Sequence, residues 1–334
     1  MTKRDVAFYL IFFILALTSC STDFNISTPY KESVAVYGFL NSNPANDVQY
    51  VRVSKVFLGE GNSLIMAQQK DSINYADVLD VKMQRILNGN VVQTISLQRD
   101  TTIPKDSGLF YYPYQVLYKF QRSQFPVLSN CVYKIFVHNN NTGLTASAET
   151  NVLDSIIPDK PSQSITIFDF SAPYFYTASF FSGTNAYVYN MTIRFHYKEV
   201  NQVTLDTTFK HADWNFGDIV TGEPLVKYTN IYRPDFYRIM GSQIVPVDTN
   251  LIRRVVDSPA IEFILTSGSE ELYIYQQLVQ PSYGIVQDRP SYTNIENGIG
   301  LFTSRYIKSL FCNLSGSSRL ALDTSQYTHY LFFH

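Results

Sequence analysis

The sequence predicts a mainly β protein: an N-terminal β-sandwich of immunoglobulin-like or transthyretin-like type, followed by a β-rich α+β domain. Three observations carry this. Of 334 residues, 15% are aromatic, with 25 Tyr and 24 Phe, and only 16% are charged; aromatic and β-branched side chains favour strands. Short alternating apolar runs recur between turn signals across residues 33 to 155. Further on, one long alternating run precedes two stretches of helical period.

Ahead of these elements, Lys3 and Arg4 give a short positive start and Val6 to Leu17 (VAFYLIFFILAL) form an apolar run. That run is too short to span a bilayer comfortably, which suits the apolar region of a secretion signal. It closes on Leu17-Thr18-Ser19-Cys20. Small residues just before a cysteine resemble the lipobox of bacterial lipoproteins, in which that cysteine is acylated and becomes the mature N-terminus. The plainer alternative is an ordinary secretion signal with an incidental cysteine. Stable anchoring needs more than one acyl chain, at about 0.8 kcal/mol per buried CH₂, and an acylated N-terminal cysteine meets that need. The expectation is a lipoprotein signal peptide over residues 1–19, lipidation at Cys20, and a polar tether over residues 20–30. No later segment is long and apolar enough to cross a membrane, so the rest is expected to be soluble and tethered.

The first domain is expected over residues 31–155. Val34 to Leu40 and Val48 to Phe57 alternate as strands. A hairpin follows, Val78 to Leu87 and Val91 to Leu97 joined by Asn88-Gly89-Asn90, because Asn-Gly supplies the positive φ angles of a tight primed turn. Gln115 to Phe120, Val132 to Val137 and Leu144 to Thr150 complete about seven strands, the last following a turn at Asn140 to Gly143. The Cys…Trp…Cys pattern of antibody domains is absent, so the sandwich rests on strand count.

Asp154 to Pro161 (DSIIPDKP) has two prolines and no periodicity, which places the domain boundary there. The second domain is expected over residues 156–334. In Ala186 to Val200, Tyr187, Tyr189, Met191, Ile193, Phe195 and Tyr197 share one strand face, and Val203 to His211 returns beside it. In Pro234 to Ile244, Phe236, Ile239, Met240 and Ile244 fall on one helical face. Ala260 to Thr266 reads as a strand. Ser267-Gly268-Ser269-Glu270 matches a capping box for a helix to about Val279, stopped by Pro281.

Charge excludes one class of partner. Net charge is −2, becoming about −3 without residues 1–19, and no Lys/Arg cluster exceeds two neighbours; nucleic acid is not an expected partner. Beyond Cys20, Cys131 and Cys312 remain. An oxidising compartment permits a bridge, but their wide separation gives little ground for one, and two buried free thiols are the expectation.

Catalytic patterns are sparse. His138, His196, His211, His329 and His334 show no zinc-ligand spacing, and the nucleophile elbow, phosphate-binding loop and dinucleotide fingerprint are missing. No cofactor is expected. Paired carboxylates stay open, since sequence does not show which acids meet. The nearest approach to a metal loop is Asp213-Trp214-Asn215-Phe216-Gly217-Asp218, with alternating Asp and Asn oxygens. Its glycine comes one place early for a Ca²⁺ loop and Glu223 falls one short, so a loop over a buried Trp214 is preferred.

Two stretches could bind. Phe110 to Tyr114, with Tyr111, Tyr112 and Tyr114, and Pro173 to Tyr176, with Tyr174 and Tyr176, offer flat rings to sugars or peptides, or serve the sheet. In VQDRPSYTNIENGIGLFTSRY, residues 286 to 306, Asn297-Gly298 followed by Gly300 permits positive φ twice. Pro290 keeps the approach irregular, and Leu301 to Tyr306 alternates as a strand. A tight turn into a core strand explains all of this; the alternative is a ligand or partner loop built from Asn294, Asn297, Gly298, Gly300 and Arg305.

Several stretches together resemble a family of secreted lipoproteins of Bacteroidetes-type bacteria, catalogued as a domain of unknown function. They are Tyr37 to Asn41, Lys55 to Asn62, Ile285 to Pro290, Tyr292 to Ile295, Asn297 to Phe302 and Ser304-Arg305-Tyr306. The likeness spans most of the mature chain. It implies an outer-membrane lipoprotein, often accompanying transport machinery, and carries over no active-site residue. Members displayed at the cell surface commonly have several acids after the cysteine. Ser21-Thr22-Asp23-Phe24 supplies one, so both the periplasmic face and the cell surface stay open. The expected function is non-enzymatic: a lipid-anchored binding or assembly partner of an outer-membrane protein or an extracellular oligomer. The alternative is a carbohydrate- or peptide-binding accessory of a transporter, and a hydrolase built from scattered acids stands third.

Overall fold

A computed structural model of the chain describes residues 33–56, 63–220, 226–244, 250–279, 291–331 and 333. Residues 1–32, with Cys20 and the expected leader and tether, as well as Phe57 to Asn62, Glu223, Pro281 and Ile285 to Pro290, lie outside the described residues. Among the described residues no helix is long and apolar enough to cross a membrane.

The protein is mainly β, as its aromatic, alternating sequence dictates. Strands β1 (Ser33–Asn41) and β2 (Val48–Val56) pair antiparallel, with Val36 opposite Val53. Two short helices, α1 (Ser63–Ala67) and α2 (Lys70–Ile73), lead into the hairpin of β3 (Leu79–Leu87) and β4 (Asn90–Ser96). Asn88 and Gly89 turn it with φ of 49° and 77°, the left-handed pair that matches the twist of the flanking strands. Then come β5 (Gln98–Asp100), β6 (Leu117–Gln121), β7 (Val132–Asn139) and β8 (Thr145–Asn151). Strands β4-β3-β7-β8 form a four-stranded sheet, and β1-β2-β6-β5 form one side of a larger sheet. The two share a core in which Val36, Val51, Val53 and Tyr118 meet Val81, Met83, Tyr133 and Ile135. Period-two alternation puts these side chains on one face of each strand. Each such burial is worth about 1.5–3 kcal/mol, so a slip of one residue would be costly.

The C-terminal half contains β9 (Ile157–Lys160), β10 (Ile167–Phe168), β11 (Phe175–Phe181), β12 (Val188–Asn201), β13 (Thr207–Val220) and β14 (Val226–Tyr232). Helix α3 (Asp235–Gln243), β15 (Leu251–Val255), β16 (Ile261–Gly268) and α4 (Glu270–Val279) follow. The long β17 (Gly298–Leu314), α5 (Gly316–Thr324) and a single 3₁₀ turn (His329–Leu331) close the described chain. Strands β14-β11-β9 make a separate three-stranded sheet.

Strand β17 joins the halves. It runs parallel to β1 from Val34↔Gly298 to Asn41↔Arg305, then antiparallel to β16 from Gly268↔Arg305 to Ile261↔Cys312. The result is a 10-stranded sheet ordered β13-β12-β16-β17-β1-β2-β6-β5, with β10 on β17 and β15 on β12. Residues before and after the stretch at 154 to 161 feed two cores, but Ile295 and Phe302 enter the first while Tyr306, Leu310 and Cys312 enter the second. Cys131 and Cys312 are both buried and free, one in each core.

Two sequence expectations need correction. The stretch after His211 is not a loop over Trp214: β13 continues to Val220, with Trp214 and Phe216 turned inward and Asp213 and Asn215 outward. A register shift opposite Asn190/Thr192 and φ of 78° at Gly217 absorb the turn-like residues as a bulge. Ser267 does not cap the following helix. It is still in β16, and Ser269 provides the cap, its hydroxyl accepting from the Leu272 N–H at 3.3 Å.

Candidate functional site

The outward face of the large sheet is polar because every second residue of its strands is. On β12 these are Asn190, Thr192, Arg194 and His196, half-buried between the core residues Met191, Ile193 and Phe195. Helix α4 folds back over this face directly after Gly268, where a Cβ would press on Leu272 and Val188. Its Tyr275 ring meets that of Tyr37 on β1 edge to face at 6.4 Å. Burial, then the hydrogen bond with Tyr275, pushes the Tyr37 phenol up to about 12, so Tyr37 stays neutral.

Between α4 and the β12–β13 ribbon lies a cleft of about 650 Å³, within the size range of small-molecule sites. Asn190, Thr192, Thr266 and Ile307 are among its lining, with Asn215 and Asp218 from β13 and Tyr275 and Gln276 from α4. Arg305 also lines it.

Its β13 side is built by Asn190. The Asn190 amide donates to Asn215 Oδ1 at 3.2 Å, the Gly217 carbonyl at 3.0 Å and Asp218 Oδ1 at 3.0 Å. The Asn215 amide donates in return to Asn190 Oδ1 at 3.3 Å and Thr192 Oγ1 at 3.4 Å. These amides are largely spent on one another and rigidify the bulge. At the other end, Arg305 is exposed, its guanidinium 5.6 Å from the centre of the Phe39 ring, and desolvation lowers its pKa without discharging it. Among the described residues it makes no ion pair with a carboxylate.

The cleft thus unites two groups that sequence reading kept apart. Asn215 and Asp218 come from the metal candidate, and Arg305 from the glycine-rich stretch. Asp213 does not join them: it is clamped by Arg194 through two 2.8 Å hydrogen bonds, and that partner lowers its pKa. Among the described residues no group of three or more His, Cys, Asp or Glu side chains is placed to hold a metal ion. His196 lies 3.2 Å from Glu262, whose other oxygen accepts from Ser309 at 2.6 Å.

The rest of the glycine-rich stretch is structural. Asn294 holds the Phe302 backbone, Asn297 takes φ of 56°, and a Cβ on Gly298 or Gly300 would collide with the Val34 or Val36 carbonyl of β1. The tyrosine clusters sit apart, one in the β5–β6 connection and one at the entry to β11. Tyr114 accepts from Arg99 at 3.1 Å and lies under Lys70, Tyr111 is half-buried, and Tyr112 is exposed. Tyr176 packs on Phe168, while Tyr174 is 62% exposed with Arg233 stacked at 4.1 Å.

A scan of protein-family models and a search of curated proteins each return no match to this chain. The site is therefore read from its own chemistry.

Asn190, Thr192, Thr266, Tyr275 and Gln276 were missed by sequence reading. Polar residues at every second position of β12, opposite its apolar face, were the available signal.

Proposed function

We propose that this chain is a lipid-anchored protein of the outer membrane that binds, without transforming it, a partner protein or an extracellular oligomer in the cleft beside α4. The observation that carries the reading is the set of described residues that line the cleft: neutral amides and hydroxyls, the apolar side chains of Val188, Leu272, Val279 and Ile307, one carboxylate at Asp218 and one guanidinium at Arg305. Paired-carboxylate hydrolysis needs a second acid, and among the described residues no nucleophile with an adjacent base lines the cleft. The anchoring half of the proposal rests on Leu17-Thr18-Ser19-Cys20 and on the family resemblance, which also brings outer-membrane machinery forward as the partner.

A second reading, an accessory that takes glycans or peptides on aromatic rings, draws on β11 and β14. Phe175 and Tyr232 lie opposite one another with ring centres 5.0 Å apart, and Tyr228 is exposed on the same face of β14, opposite Ser179. Tyr176 points inward and does not contribute.

The test is purification of the tagged full-length protein from intact outer membranes, beside Gln276→Trp, which fills the cleft from an exposed helix position, and Cys20→Ala. A stoichiometric companion lost in Gln276→Trp, together with release of Cys20→Ala from the envelope, is expected. A companion retained by Gln276→Trp overturns the cleft, and unchanged sedimentation of Cys20→Ala overturns the anchor.

A further inference from the structure

The geometry points to a short peptide with free ends as the ligand of the cleft, lying extended with its carboxylate at Arg305 and its ammonium at Asp218. This deepens the binding function proposed above and rests on it.

The free polar capacity of the cleft decides the class. Asn190 and Asn215 satisfy each other and the bulge, so they form a wall and have little left for a ligand. Asp218 receives the Asn190 amide on Oδ1, and no hydrogen bond from a described residue falls on Oδ2. Arg305 keeps a planar fork of donors suited to a carboxylate. Gln276 and Thr266 between them present both donors and acceptors, as a peptide backbone demands. Opposite charges at the two ends of a neutral trough orient a ligand that carries opposite charges at its own ends.

Length follows from the sheet. Arg305 on β17 is in register with Gly268 on β16, Val188 on β12 and Val220 on β13, and Asp218 is two residues from Val220. Three strand spacings and two residues of rise separate the two positions by about 15 Å. An extended chain covers that distance with about four or five residues. A neutral oligosaccharide would fill the same volume, yet it would leave the guanidinium without an anion.

The experiment is affinity selection with the full-length protein in detergent micelles. An equimolar mixture of free-ended pentapeptides is offered beside the same mixture amidated at the C-terminus, the same mixture acetylated at the N-terminus, and a set of neutral oligosaccharides. Retained molecules are read by mass spectrometry. Free-ended peptides are expected to be retained, amidation to reduce retention about tenfold, and acetylation to reduce it about threefold because Asp218 is solvent-exposed. Arg305→Gln is expected to abolish the difference between free and amidated peptides, and Asp218→Asn the difference between free and acetylated ones. Equal retention of free and amidated peptides by the unaltered protein overturns the proposal whatever the variants do. Retention of oligosaccharides alone, lost in Gln276→Trp, overturns the peptide and leaves the cleft as the binding site. Retention of nothing, or of the same molecules by Gln276→Trp, overturns both.

Discussion

The side chain of Asn294 stands in for a missing strand beside Phe302. Its amide donates to the Phe302 carbonyl at 2.7 Å, and its oxygen accepts the Phe302 N–H at 2.9 Å. At that point β17 is parallel to β1 on one side, and β16 pairs with it only from Arg305 onward. Both backbone groups of a fully buried phenylalanine would otherwise go unpaired.

Asn294→Ala is therefore expected to lower stability by about 1–3 kcal/mol, measured as a shifted urea midpoint with an unchanged slope. Asn294→Asp keeps the acceptor and loses the donor, so it should fall between the two. An alanine variant as stable as the parent would assign the pairing no structural role.

Gly300 is expected to be less forgiving. Its φ is 114° and an added Cβ would meet the Val36 carbonyl, so Gly300→Ala combines backbone strain with separation of β1 from β17. A loss of roughly 3 kcal/mol or more is expected, read as a depressed melting temperature or insoluble expression. Gly89→Ala, in an open turn at φ of 77°, should cost only about 1 kcal/mol.

How much of this was visible in the sequence depends on whether a feature is local. The β3–β4 hairpin was legible because Asn88-Gly89 imposes it, and β12 because its aromatic alternation is unbroken. The far end of β13 was misread because Asp213, Asn215 and Gly217 are turn residues. The alternation of Trp214 and Phe216 with polar neighbours was the better guide. No local signal announces that Val34 pairs with Gly298, or that Asn190, Asp218, Gln276 and Arg305 line one cleft; those are products of long-range register.

Acid should weaken the protein through two carboxylates. Lys119, at 2.7 Å, and Thr102 hold Asp100 at about 2. Burial alone would raise Asp169, but the hydroxyls of Ser171, Ser315 and Ser318 and the Ser171 N–H outweigh it and hold it well below the usual carboxylate range. Groups depressed on folding stabilise above their unfolded pKa near 3.8, and that stability is lost as pH falls toward the folded values. Melting temperature should therefore drop between about pH 4 and pH 2. The deficit of Asp169→Asn relative to the parent should narrow over the same window, and a constant deficit would contradict this reading.

Arg253 is fully buried, donates to Glu199 at 3.0 Å and to the Leu331 carbonyl at 2.9 Å, and thereby ties β15 to the last described turn. Arg253→Ala leaves Glu199 largely buried without its partner and is expected to cost about 3–5 kcal/mol. Phe333→Ala, removing a ring packed on Phe195 and Tyr197, should cost about 3–5 kcal/mol by cavity formation. Chemical denaturation measures both; a loss below 1 kcal/mol in either would show that this anchor is dispensable.

The most direct measurement of binding at the cleft is photo-crosslinking in intact cells, with a benzophenone side chain at Val279, an exposed residue at the end of α4 that also lines the cleft, and, as control, at Tyr228 on the separate three-stranded sheet. A discrete adduct from position 279 and none from position 228 is the expected result. No adduct from position 279, or the same adduct from both, would contradict a binding site there.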